Sequence, residues 1–255
     1  MPTETIRFQN REGHTLAGTI DLPETTPAAL ALFAHCFTCG KSLNGIRTIA
    51  KQLNDEGIAV CRFDFTGLGQ SQGEFHDSTY STNISDLIAA AEHLTNEFMH
   101  PTILAGHSLG GAAVLAAARS IPSTRCVATI GAPFDPAHVR HLLTGAAFDE
   151  DDKAEVSIGG RPFTIGKQFL DDLEAHDPAQ TIASLRMPLL ICHSPVDSIV
   201  AIENAERIYT AARHPKSFLS LGHADHLVSN TQDAEYLGHV LSAWAGYHSS
   251  VEHQR

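Results

Sequence analysis

Basic residues are scarce in this chain. Its 255 residues carry 17 Lys and Arg against 29 Asp and Glu, a net charge of −12. Nucleic acid is thereby excluded as an expected partner, because phosphate contacts need clustered cations. Long apolar runs are missing too. None approaches the roughly 18 residues of a membrane helix, so no membrane partner is expected. The opening Met1-Pro2-Thr3-Glu4-Thr5-Ile6-Arg7 holds no apolar stretch, and a secretory signal is not expected. Cysteines number five: Cys36, Cys39, Cys61, Cys126 and Cys192. The odd count, with three of them inside apolar strand-like runs, points to reduced buried thiols and a cytoplasmic, disulfide-free protein. No internal repeat, low-complexity segment or linker is present. What the chain does have is 43% apolar residues and only 18% charged ones, enough to bury a sizeable core.

Along the chain, apolar runs alternate with helical patterns. Ile6–Asn10 and Leu16–Leu22 predict a hairpin around the turn Arg11-Glu12-Gly13. Leu30–Ala34, Ile58–Phe65, Thr102–Ala105, Cys126–Gly131, Leu189–His193 and Ser217–Leu221 predict further strands. Between them, helices are expected over Ile46–Leu53, Asn83–Leu94, Ala112–Arg119, about 201–212 and about 233–247. Such alternation predicts an α/β fold: a mostly parallel sheet of about eight strands with helices on both faces, one domain over residues 1–255. Residues 134–185 break the rhythm. They are more charged, and they carry a hairpin signal of their own in Val156–Ile165 around Gly159-Gly160. Lys167–Leu173 then predicts a short helix. This stretch reads as a cap inserted in the domain, since it looks too small to bury its own core.

One stretch organises the rest. Gly106-His107-Ser108-Leu109-Gly110-Gly111 stands between a short strand and an Ala-rich helix. A serine at the tip of a tight strand-to-helix turn needs small neighbours, which Gly106 and Gly110 supply. The new helix aims its unpaired N–H groups at the place where an oxyanion would form.

A serine hydroxyl needs a base within hydrogen-bond reach, and the base needs a carboxylate to orient it. In a parallel sheet the functional groups gather at the carboxyl ends of the strands. Ser194-Pro195-Val196-Asp197 follows one such strand, and Gly222-His223-Ala224-Asp225-His226 follows the next. Asp197 is the candidate acid, although an aspartate there also suits a helix cap. The base is His223 or His226; the spacing leaves both open. A metal site on these two histidines lacks a third ligand at known spacing, and none is expected. The oxyanion calls for two backbone donors. The N–H of Leu109 is one candidate and that of Phe37, in the loop after Leu30–Ala34, the other. His35 reads as a structural tie for that loop. Cys36 and Cys39 form a Cys-X-X-Cys pair in a loop already accounted for, so redox chemistry is not expected. Gly67-Leu68-Gly69 imitates a dinucleotide fingerprint without the helix such a motif needs, and reads as a structural turn. Lys41 reads as a solvated charge. Cys36, His107 and Phe134 are candidate substrate contacts, and Phe148, Phe163 and Phe169 either line the pocket or fill the cap.

At this point the chain resembles the α/β-hydrolase superfamily over nearly its whole length. The residues that carry the resemblance are His35-Cys36-Phe37, Arg62–Ser71, Gly106–Gly111, Ser194–Asp197 and Ala224-Asp225-His226. Within the superfamily it is similar to the hydrolase half of bacterial bifunctional proteins with an OsmC-like domain, through Val156–Phe163 and His214–Phe218 as well. The resemblance implies an α/β-hydrolase fold, with Ser108 as nucleophile, Asp197 as acid and His226 as base. It also suggests that a side chain at Cys36 narrows the acyl pocket. The expected activity is cleavage of carboxylic esters, with short acyl chains, through an acyl-enzyme and without a metal or organic cofactor. The alternatives are a thioesterase or peptidase on the same triad, or a non-catalytic ligand-binding relative. The expected partner is a small-molecule ester, and a homodimer is compatible with the chain.

Overall fold

The computed structural model describes residues 2–37, 40–158 and 160–250. Three strands open the chain: β1 (Thr3–Gln9), β2 (Thr15–Asp21) and β3 (Ala29–Ala34). α1 (Asn44–Asp55) and β4 (Ile58–Phe63) follow, then α2 (Tyr80–Glu97), β5 (Ile103–His107), α3 (Leu109–Ala117) and β6 (Cys126–Ile130). After an excursion come β7 (Lys153–Ile158), β8 (Arg161–Gly166), α4 (Lys167–Glu174) and α5 (Pro178–Ala183). β9 (Leu189–His193), α6 (Glu203–Ala211), β10 (Lys216–Ser220) and α7 (Thr231–Ser250) complete the order. Eight strands form one sheet in the order β1-β2-β4-β3-β5-β6-β9-β10, and only β2 runs against the others. This is the α/β-hydrolase fold.

The central strands are apolar at every position because both faces of the sheet are covered. In β3 the pleat sends Leu30, Leu32 and Ala34 to one face and Ala29, Ala31 and Phe33 to the other. The first face packs on α2, α3 and α6, and the second on α1 and α7. β10 lies at the edge, where its residues are only partly buried. α1, α2 and α7 run longer than their apolar periodicity suggests, and α6 is shorter. α2 begins at Tyr80 because Thr79 caps it, accepting from the Thr82 N–H at 3.1 Å.

Between β6 and β9 the chain leaves the sheet. It makes a 3-10 segment at Pro136–Leu143, the β7–β8 hairpin, α4 and α5. The hairpin and α4 fall where the sequence predicts them. The 3-10 segment and α5 were not anticipated: Pro136 and Pro178 start them, each behind an aspartate cap. Gly160 takes a positive φ of 76°. Its expected turn partner Gly159 lies outside the described residues.

Several charged groups are buried beneath the strand ends. Arg62 donates through Nε to Asp21 Oδ2 at 2.8 Å and through a second nitrogen to the Lys41 carbonyl. Lys41 is not the solvated charge its surroundings in sequence suggest. It is 8% exposed and pairs with Asp64, which also takes the Lys41 N–H at 2.9 Å. Burial works against an ionised Asp64, but the bonds from Lys41 and Gln70 outweigh it and hold its pKa below the usual carboxylate value. Gly67 and Gly69, both at positive φ, shape a structural turn against this carboxylate.

His35, His107 and His193 are buried, and desolvation lowers the pKa of each. For His107 the value falls from 6.5 to about 3. An unfolded chain would protonate all three first, so it binds more protons than the fold once the pH drops below the ordinary histidine value. Asp86, raised by burial, opposes this with one group against three. Urea midpoints should therefore fall between about pH 7 and about pH 5. An unchanged or higher midpoint at the acidic end would contradict this account.

Candidate active site

The parallel strands end together, and the loops that leave them converge. β5 ends at His107, and Ser108 turns the chain into α3 with φ 55° and ψ −128°. A side chain in that region is strained and is held there by its surroundings. The Ser108 N–H donates to the Ile130 carbonyl at 2.9 Å, and the Ser108 carbonyl accepts from Gly111 at 2.8 Å. There is no room for larger neighbours. A β-carbon on Gly106 would lie 2.3 Å from the Gly110 carbonyl oxygen, and one on Gly110 would lie 2.3 Å from that of His35.

Ser108 Oγ lies 3.1 Å from His226 Nε2, and His226 Nδ1 lies 2.8 Å from Asp197 Oδ2. In the neutral tautomer that Asp197 favours, Nδ1–H donates to the carboxylate and Nε2 accepts from the serine hydroxyl. Asp197 has a second task. Its Oδ1 accepts the N–H groups of Ile199 and Val200, each at 2.9 Å, which folds the loop around the carboxylate. Burial disfavours its charge, but the bonds from His226, Val200 and Ile199 prevail and lower its pKa. The geometry thus brings Ser108, His226 and Asp197 into one chain of hydrogen bonds. His223, the other candidate base, is exposed on the same loop.

His107 and Phe134 are placed away from the substrate space. His107 is fully buried behind Ser108. Its Nε2–H donates to the His226 carbonyl at 2.6 Å, and its ring lies 4.9 Å from the His226 ring. Phe134 borders a separate small hollow, with the Arg207 guanidinium 4.1 Å above its ring. Its backbone N–H is tied to Asn204, which turns the side chain away. Both are corrections to the expected substrate contacts.

Cys36 does line the cavity, as does Phe37. Cys36 is disulfide-bonded, against the expectation of a disulfide-free chain. Among the described residues the buried thiols Cys61, Cys126 and Cys192 are free. Cys39, the other half of the Cys-X-X-Cys pair, lies outside the described residues. His35 ties the loop as expected: Nδ1–H donates to the Cys36 carbonyl at 2.8 Å, and Nε2 accepts the Phe65 N–H at 3.3 Å. The Phe37 ring stacks on Phe169 of α4 at 5.1 Å and meets Phe75 at 5.4 Å. Phe75 in turn meets Phe163 of β8 at 5.4 Å. Phe163 and Phe169 therefore fill an aromatic core between the excursion and the Phe37 loop.

The cavity above Ser108 has a volume of about 570 Å³. Its other walls include Val139, Ile158, Arg161, Ile199 and Leu227, together with His138 and His141. Sequence reasoning passed over these positions. Ile199 and Leu227 are each within two residues of a hydrogen-bonded site residue, which is a usable signal. Arg161 and the two histidines face the cavity only through the packing of the excursion. Among the described residues no group of three His, Cys, Asp or Glu side chains could hold a metal, and no helix is long and apolar enough to cross a membrane.

Comparison with known proteins agrees with this fold. The family model described as serine aminopeptidase, S33, matches residues 26–148. The crystal structure of the esterase domain of a Rhodothermus marinus protein is 50% identical. The match covers 98% of this chain and all of that one, with a TM-score of 0.83. The structure of Est1E from Butyrivibrio proteoclasticus with ferulic acid is 20% identical, covers 96% of this chain and all of that one, and has a TM-score of 0.82, a likeness of fold. The human mitochondrial palmitoyl-protein thioesterase ABHD10 is 25% identical over 219 residues, 78% of this chain and 68% of that protein. With half of its residues shared over the full length of the Rhodothermus domain, the chain belongs to the α/β-hydrolase esterase family.

Proposed function

We propose that this protein is a serine carboxylesterase whose catalytic residues are Ser108, His226 and Asp197. The observation that carries the reading is the hydrogen-bonded chain from Ser108 Oγ through His226 to Asp197, built on a serine at positive φ. Ser108 Oγ attacks the ester carbonyl while His226 Nε2 takes its proton. Asp197 orients His226 and stabilises the imidazolium. His226 returns the proton to the leaving alcohol, and water then releases the acid from Ser108 by the same route. The N–H of Leu109, at the start of α3, has no preceding helical turn to bond and serves with that of Phe37 as oxyanion donor. His107 stays neutral, because burial lowers its pKa to about 3, and acts as a positioning residue by holding the His226 carbonyl. Residues 134–185 form the cap of one domain.

A fluorophosphonate probe should label the native protein at Ser108, and Ser108→Ala should abolish labelling and lower kcat/KM about ten-thousand-fold or more. Labelling that persists in Ser108→Ala would put the nucleophile elsewhere and refute the assignment, and a native protein that does not label would favour a ligand-binding relative.

Short acyl chains are the substrates that the cap favours. It holds no long apolar helix, and its Phe163 and Phe169 are used in its own packing. Acetyl and butyryl esters should be cleaved faster than octanoyl esters, and the reverse order would refute this. A thioester is the second reading, favoured by the likeness to a palmitoyl-protein thioesterase. The same acyl series on a thiol tests it directly.

The aromatic contact between Phe169 and Phe37 supports the oxyanion donor through the cap. Phe169→Ala should reduce kcat by about tenfold with a smaller change in KM, and Phe169→Leu should fall between the two. Unchanged kcat in a folded variant would show that the contact only packs the cap.

A further inference from the structure

The cavity above Ser108 has walls of one electrical sign. In a chain of net charge −12, its lining among the described residues includes no aspartate or glutamate. It does include Arg161 and three histidines, His138, His141 and His226. The one carboxylate of the site, Asp197, is 2% exposed at its side chain and is spent on His226 and the Ile199–Val200 backbone. The amino end of α3 also points its partial positive charge at this space. Much of the remaining lining, Val139, Ile158, Ile199 and Leu227 among it, is apolar.

Arg161 is an exposed residue that borders the cavity from its own hairpin. It is the first residue of β8, opposite Ile158 of β7, and its guanidinium lies 5.2 Å from the centre of the Phe163 ring. The His138 and His141 rings, 4.5 Å apart, stand on the 3-10 segment. His138 Nε2–H donates to the Ile199 carbonyl at 3.0 Å, and His141 Nδ1–H donates to the His138 carbonyl. Both histidines are thus fixed in place, and Arg161 is the cavity's permanent cation.

We infer that the substrate is an ester bearing a carboxylate, which Arg161 receives at the cap side of the cavity while the apolar walls hold its carbon chain. This rests on the esterase reading and adds the substrate class to it. A guanidinium matches a carboxylate with two parallel N–H donors. A cavity without acidic groups would also draw an anion in and favour it before contact.

The test compares charged and neutral esters of matched size. One pair is the glutarate half-ester of phenol against phenyl valerate, with the charge on the acyl side. The other is the butyrate of a hydroxyphenylpropanoate against that of ethylphenol, with the charge on the alcohol side. In at least one pair kcat/KM should favour the anion by about tenfold or more at low salt, and the preference should shrink as salt is added. The preferred pair tells which side of the ester Arg161 faces. Arg161→Gln should remove the preference, read as a ratio within one protein preparation, and Arg161→Lys should keep most of it. Cleavage of the neutral esters with no anion preference, or a preference that survives Arg161→Gln, would overturn the inference while leaving the esterase reading intact. Failure on all four esters would overturn the esterase reading and the inference with it.

Discussion

The site depends on a backbone contact with no space for a carbon atom. Gly110, the second residue of the elbow helix, lies against the His35 carbonyl, and Gly106 lies against Gly110. These approaches bring α3 down onto the end of β3. The same descent sets Ser108 at positive φ and places the N–H of Leu109 next to the loop that carries Phe37. On the proposed function, nucleophile and oxyanion donors are therefore one mechanical unit. A methyl group at either glycine would lift the helix and displace all three together, since packed backbone has no soft direction in which to relax.

The loops around that unit are held by polar groups taken out of water. His35 bridges the Cys36 carbonyl and the Phe65 N–H, which fixes its tautomer and the start of the Phe37 loop. Lys41, at the far end of the loop, is pinned by Asp64, and its carbonyl is held by Arg62, itself paired with Asp21. Removing one member of such a pair strands a buried charge, a larger penalty than the pair's own contribution to stability. Asp197 follows the same logic on the other side of the cavity, with one oxygen for its own loop and one for His226. Each loop is closed by a buried polar group that has few alternative partners.

How much of this was legible in the sequence varies with the range of the cause. The sheet was legible because alternation of apolar runs and amphipathic helices is a local property. The order of serine, aspartate and histidine was legible because each follows a strand, and parallel strands bring their ends together whatever the loops do. Spacing alone did not separate His223 from His226; the fold does, by exposing one and burying the other beside Asp197. Lys41 looked solvated because its partners Asp64 and Gln70 are distant in the chain. His107 looked like a pocket residue because it adjoins Ser108, but successive residues of a strand point to opposite faces. Phe134 was misjudged for a similar reason: its ring lies against Arg207, and its N–H is bonded to Asn204, both some seventy residues on. The excursion was legible as elements and not as a surface, since which of its side chains meet the cavity depends on how it docks.

That docking couples two properties usually treated apart. Phe169 and Phe163 join the excursion to Phe37 through aromatic contacts, so the excursion supports the loop that carries the proposed oxyanion donor. The hairpin that carries Phe163 also carries Arg161 into the cavity wall, and the 3-10 segment before it carries Val139, His138 and His141. A substitution that reshapes the wall will therefore strain the aromatic contacts, and one that loosens those contacts will move the wall. Substrate choice and rate are tied through Phe37. A different excursion on the same eight-stranded sheet would have to supply a new support for Phe37 as well as a new lining, because one of the two aromatic rings against Phe37, that of Phe169, comes from the excursion.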